Sequence, residues 1–140
     1  MVLPVYKNIF KIGPTKEELK TVADLETFSV SIDNGIEEWY PMEHEGWVRR
    51  LMTSKALTIS LNGKRNIGDE GNDYVAGLAL LNGTDANAVF EWVMPSGTTI
   101  TFNCVVSITE LGGDSTNAEA LGFEVQSDGK PEVTMANSGE

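Results

Sequence analysis

Apolar and polar residues alternate along five separate stretches of the chain, and a period of two is the mark of strands with one face buried. Glu26–Ile32 puts Phe28, Val30 and Ile32 on one side and Thr27, Ser29 and Ser31 on the other. Ala56–Asn62 does the same with Leu57, Ile59 and Leu61, and Ala88–Met94 with Phe90, Trp92 and Met94. Thr98–Thr109 alternates furthest: Ile100, Phe102, Cys104, Val106 and Ile108 face in, and Thr99, Thr101, Asn103, Val105 and Ser107 face out. Ala120–Gln126 directs Leu121, Phe123 and Val125 inward. Turn formers punctuate these runs at Asp33-Asn34-Gly35, Asn62-Gly63, Pro95-Ser96-Gly97 and Gly112-Gly113-Asp114-Ser115.

The period changes once. Over Asp69–Leu81, Tyr74, Val75, Leu78 and Leu81 recur at helical spacing, with Asp69, Glu70 and Asp73 at the start and Asn82-Gly83 at the end. Acids suit the positive end of the helix dipole, and an Asn-Gly pair suits its stop. Three regions lack either period. Residues 1–22 read as an N-terminal arm interrupted by Pro4, Gly13 and Pro14, with Thr15–Glu18 placed as a capping box for a short helix. Residues 36–55 read as a long irregular loop carrying Trp39, Tyr40, Trp47, Arg49 and Arg50, and residues 127–140 as a polar C-terminal tail. The prediction is one mainly β domain over residues 1–140: an antiparallel sandwich or partly closed barrel with one flanking α-helix. Parallel βαβ units would require more helices.

Composition narrows the function more than the fold. A chain of 140 residues that is 41% hydrophobic is long and apolar enough to bury a core without disulfides, and its single cysteine allows no intrachain bridge. The longest apolar stretch, Val75–Leu81, is far shorter than the ~20 residues of a membrane span, so no membrane anchor is expected. The first residues lack the basic region, apolar run and cleavage site of a secretory signal. The net charge is −11, and it is unevenly spread: residues 1–65 balance nine basic against nine acidic residues, whereas residues 66–129 hold ten acidic residues and no Lys or Arg. Such a surface repels nucleic-acid phosphate. The acidity serves solubility alone, or it keeps one face negative within an assembly.

Catalytic chemistry has little to build on. His44 is the sole histidine, which excludes a multi-His metal site, and it sits between Glu43 and Glu45 in the long loop. Cys104 falls on the apolar side of its strand, as a small hydrophobe and not as a nucleophile. Asp69, Asn72 and Asp73 lack the full spacing and final Glu of a calcium loop, and no Lys follows Gly112-Gly113-Asp114 to make a phosphate loop. No enzyme activity, cofactor or metal is expected. Trp39, Tyr40, Trp47, Arg49 and Arg50 are of the types enriched at protein interfaces. The aromatics among them also suit packing over the core or a sugar-binding platform.

The order of several segments adds a resemblance. Glu37-Glu38-Trp39 leads through Pro41-Met42 to Glu45-Gly46-Trp47-Val48-Arg49-Arg50-Leu51. Ser60–Asn66, Gly71–Gly77, Cys104–Ile108, Gly112–Asn117 and Phe123–Pro131 follow. Over roughly residues 25–131 this series resembles the tail tube, or major tail, proteins of long-tailed bacteriophages with flexible, non-contractile tails. The resemblance implies a β-sandwich with one flanking helix, self-assembly into hexameric rings stacked as a hollow tube, and an inner β-barrel shared between subunits. It implies genome delivery through that tube without specific DNA binding, contacts with tail tip or initiator and tail terminator proteins, and location in the virion tail after assembly in the bacterial cytoplasm. In that family the long loop and terminal arms bridge subunits and rings, roles that would fall on residues 36–55, 1–22 and 127–140. Two other readings stay open. One is the inner tube of a contractile tail, bacteriocin or secretion machine, which a neighbouring sheath gene would mark. The other is a monomeric carbohydrate-binding sandwich, which saturable sugar binding would mark.

Overall fold

A computed structural model describes residues 2–135 of the chain. The strands are β1 (Ile9–Gly13), β2 (Lys20–Thr21), β3 (Leu25–Trp39), β4 (Arg49–Lys64), β5 (Asn87–Val93), β6 (Thr99–Gly112), β7 (Ala120–Ser127) and β8 (Glu132–Thr134), and α1 (Glu70–Gly77) lies between β4 and β5. All strand pairs are antiparallel, in the order β2-β1-β5-β6-β7-β4-β3, and β8 pairs with β6 beyond the end of β7. The fold is thus one antiparallel sheet, curled but not closed, with a single flanking α-helix among the described residues.

Strand register converts the alternating pattern into a core. Val30, Ile59, Val125 and Val106 lie opposite one another across β3, β4, β7 and β6, and Phe28, Leu61, Phe123 and Ile108 form the next row. Ile12, Phe90 and Phe102 continue the apolar face across β1, β5 and β6. Ile59, Leu61, Phe90, Phe123 and Val125 are wholly or almost wholly buried. The sheet twists until its two ends nearly meet. Phe10 of β1 and Phe28 of β3 are far apart in strand order, yet their rings are 4.9 Å apart edge to face, and Trp92 lies 5.5 Å from Phe28. The Trp92 indole Nε1 donates to Asn8 Oδ1 at 2.8 Å, so its one polar atom is satisfied. A cavity of about 170 Å³ between β1 and the start of β3 marks the unclosed seam.

The helix is locked across the end of the sheet by buried polar groups. Asp69 caps α1: its Oδ2 accepts from the Asn72 amide and from the Ala23 amide of the segment before β3, both at 3.0 Å. The Asn72 side chain is completely buried and makes four bonds. Its Oδ1 accepts from Arg65 Nη1 and the Asn66 amide, and its Nδ2 donates to the Ala23 and Lys64 carbonyls. Arg65 also pairs with Asp73 at 2.8 Å. Gly71 lets the helix touch β2, since a Cβ there would lie 2.3 Å from the Thr21 carbonyl oxygen. Gly63 performs the same service for β4, where a Cβ would come within 2.1 Å of the Asp24 oxygen.

Several sequence expectations are corrected. The N-terminal arm over 1–22 is partly core: Ile9–Gly13 is a strand paired with both β2 and β5, and Phe10 and Ile12 are buried. The capping box at Thr15–Glu18 is a single 3-10 turn, Lys16–Glu18, with no side-chain cap, because the chain returns at once to pair Lys20–Thr21 with β1. Asp33-Asn34-Gly35 is not a turn. It continues β3 through a bulge opposite β4, since Gly35 and Ile36 face Ser54 and Met52 with Thr53 left over. The helix ends at Gly77, leaving Leu80 and Leu81 exposed. Within the 127–140 tail, Glu132–Thr134 forms β8, and residues 136–140 lie outside the described part. Thr101, expected to face outward, is buried: it pairs with Glu132 of β8 and lines a recess together with Lys16 and Lys130.

Candidate interface arm and outer sheet face

The irregular loop predicted over 36–55 is an ordered arm. β3 and β4 pair without interruption in the chain from Thr27↔Asn62 out to Trp39↔Arg49, apart from the bulge, whereas β7 accompanies β4 only as far as Thr58↔Gln126. Beyond that point the hairpin projects from the body as a two-stranded ribbon. Its loop is confined to Tyr40–Val48, with a 3-10 turn at Met42–His44. Glu45 and Gly46 turn the chain in left-handed backbone, at φ 53° and 90°.

Alternation assigns the arm two unlike faces. Phe28 and Val30 of the core are followed on the same face by Ile32, Asn34, Ile36 and Glu38 of β3, opposite Leu57, Lys55, Met52 and Arg50 of β4. The apolar face therefore runs out of the core along the arm, where Ile32, Ile36 and Met52 are about half exposed. The other face carries Asp33, Glu37 and Trp39 opposite Ala56, Leu51 and Arg49. A free two-stranded ribbon is marginal in water, and half-exposed apolar side chains along it form a surface that gains from being covered.

The five sequence-selected residues all fall at or near the arm's tip, but not in one cluster. Trp39 and Arg49 oppose each other on one face. Arg50 lies on the other, where its Nε donates to Glu38 Oε2 at 2.7 Å; that bond raises the Arg50 pKa. Tyr40 and Trp47 flank the tip loop, and Trp47 is 75% exposed. The core-packing alternative fails for Trp39, Tyr40 and Trp47, none of which joins the core, whereas Trp92 does. Sequence reading missed Ile36 and Met52 as surface features. The signal is present, since Ile36 keeps to the face of Ile32, but Asp33-Asn34-Gly35 between them has the composition of a turn.

A second surface is the sheet face turned away from the core. Ser29, Ser60, Glu124 and Ser107 form one transverse row across β3, β4, β7 and β6, and Ser31, Thr58, Gln126 and Val105 form the next. The Ser60 hydroxyl lies 3.2 Å from Glu124 Oε2 as its donor. Glu124 is the one charged residue in these two rows, and neither holds Lys or Arg.

The chemistry of the molecule is sparse. Among the described residues, no group of three His, Cys, Asp or Glu side chains is placed to hold a metal ion. Burial pushes the Cys104 thiol up to about 12. No described helix is long and apolar enough to cross a membrane.

No family model matches the chain, and no curated protein matches it. Solved structures do. A chain in the tail of an empty gene transfer agent particle, determined by helical refinement with C6 symmetry, superposes with a TM-score of 0.75 at 18% identity, covering 95% of this chain and 99% of its own length. A chain from the virion of a native gene transfer agent particle also gives a TM-score of 0.75, at 16% identity and with the same 95% and 99% coverage. Over nearly its whole length, then, this chain is similar in fold to proteins of gene transfer agent particles, including one of the tail.

Proposed function

We propose that the chain is a structural, non-catalytic subunit that assembles with copies of itself into hexameric rings, stacked as the hollow tail tube of a phage-like particle, through which a genome passes. The observation that carries this reading is the full-length fold likeness to a tail chain from a C6-symmetric particle. The projecting arm supports it, because its apolar face is left about half exposed by the described residues. So does β3, an edge strand of 15 residues whose unpaired side is a template for another strand. In this reading the Ser29–Ser60–Glu124–Ser107 and Ser31–Thr58–Gln126–Val105 rows line the bore. Short hydroxyl side chains with a sparse negative charge would let DNA slide, since they offer its phosphates no cation to grip. Tail tip or initiator and terminator proteins would be the further partners, and the virion tail its location.

Negative-stain microscopy of the purified protein across a concentration series tests the proposal. Rings or tubes of uniform bore are the expected result. A monomer at every concentration, and saturable binding of a sugar by that monomer, would replace the tube with a binding module.

A further inference from the structure

An apolar cleft opens where the arm leaves the body, and nothing in the described chain fills it. Its walls are the part of β4 that β7 no longer accompanies and the free side of β8, and it is lined by Ile32, Ala56, Leu57, Ile100, Pro131 and Val133. The ladder between β4 and β7 is stopped at the cleft's end by a side chain: the Leu57 amide donates to Ser127 Oγ at 3.0 Å. The cavity is about 200 Å³. That is below the roughly 300–1,000 Å³ of small-molecule sites and suits one or two inserted side chains. Lys55 is the one charged residue of the lining among the described residues, and within these it bonds only the neutral Asn34 amide oxygen, at 2.7 Å.

The opposite end of the arm presents an exposed apolar side chain and charges opposite in sign to Lys55. Met42 is 97% exposed at the tip and is followed by Glu43 and Glu45. Among the described residues none of these carboxylates has an ion-pair partner, and neither does Lys55. An unbranched thioether adapts to an irregular apolar cavity. We infer that the Met42 tip of one copy inserts into the cleft at the root of the arm of a second copy, with Glu43 or Glu45 meeting Lys55. Tip and root are different surfaces, so contacts made in one direction join copies head-to-tail into a ring or an open filament, whereas a reciprocal exchange of tips would stop at a dimer and give no ladder. The inference rests on the tube reading and specifies where its arm docks.

The test is a cysteine pair, Met42→Cys with Val133→Cys, in the full chain under mild oxidation, alongside each single variant. Native Cys104 is buried and does not compete. The expected result is tubes, with a ladder of cross-linked multimers on a non-reducing gel from the double variant only. Charge exchange supplies an independent arm: Lys55→Glu or Glu43→Lys alone raises the concentration needed for assembly at least several-fold, and the two together restore it. If Glu43→Lys gives no restoration, Glu45→Lys is the second partner to pair with Lys55→Glu. Tubes without a ladder, and with no restoration from either exchange, overturn the docking site and leave the tube standing. Cross-links confined to single chains also overturn it, since the tip then folds back on its own root. A ladder of filaments lacking a bore keeps the docking site and removes the tube. Failure to associate at any concentration removes both.

Discussion

Replacing Asn72 by alanine tests how the helix is held to the sheet. The Asn72 amide makes four hydrogen bonds of 2.9 to 3.1 Å in a position with no solvent exposure. Alanine strands the Ala23 and Lys64 carbonyls and the Asn66 amide, whereas Arg65 keeps Asp73 at 2.8 Å. Four lost bonds at about 1 kcal/mol net each give about 4 kcal/mol, and three stranded groups at the low end of about 1–3 kcal/mol each give about 3 kcal/mol, so the loss should be about 3–5 kcal/mol. That is a large part of the ~5–15 kcal/mol that holds an ordinary domain together. It corresponds to a melting point lowered by roughly 10–15 °C. Urea unfolding of the dilute monomer, followed by tryptophan fluorescence and far-UV dichroism, measures it as a lower midpoint at unchanged slope. Asn117→Ala is the control, because the Asn117 side chain is exposed in a loop, and it should move stability by no more than about 0.5 kcal/mol. A loss under about 1 kcal/mol at Asn72 would mean that the four bonds do not hold the helix, the site admitting water or rearranging at little cost.

Other predictions address the arm and the titrating groups. Trp47→Ala and Arg49→Glu should impair polymerisation while leaving monomer unfolding within about 0.5 kcal/mol of the parent, because both side chains lie at the arm's exposed tip; normal tubes from both would remove the tip from the interface. The Arg65 hydrogen bond, aided by the Gly68 amide and opposed by desolvation, holds the Asp73 carboxyl below its usual value. A pKa depressed in the folded state contributes stability above the ordinary carboxylate range, ~3.9, and loses it as pH falls through the folded value. Asp73→Asn should therefore make stability less pH-dependent below about pH 4, read from urea midpoints across the acid range; an unchanged acid limb would contradict this. With its thiol raised to about 12 by burial, Cys104 should react with a thiol reagent slowly when native and fast in urea; fast native labelling would place it at the surface.

Strand periodicity was legible because each central strand buries one face only. The residues predicted to face inward on β6, from Phe102 to Val106, are the buried ones, and Val30, Ile59 and Val125 share one core row. What escaped sequence reading depended on partners distant in the chain. β1 is too short to show a period, and it is a strand because β2 and β5 flank it. Asp33-Asn34-Gly35 has turn chemistry, yet β4 runs alongside and the pairing overrides local preference with a bulge. That single override hid the extension of the apolar face to Ile36 and Met52. The arm's residues were identifiable by type, but their division between two faces, Trp39 with Arg49 and Glu38 with Arg50, required the register. Asn72 sat within a stretch weighed as a calcium loop, and its role emerges only when Ala23, Lys64 and Arg65 converge on it.

Helical reconstruction by cryo-electron microscopy of the assembled protein is the sharpest test of the tube. The expected result is a hollow tube with six copies per ring, the arm of each copy seated on another, and the Ser29–Ser60–Glu124–Ser107 row facing the bore. A filament without a bore, or a tube whose channel is lined mainly by Lys and Arg with that row turned outward, would contradict it.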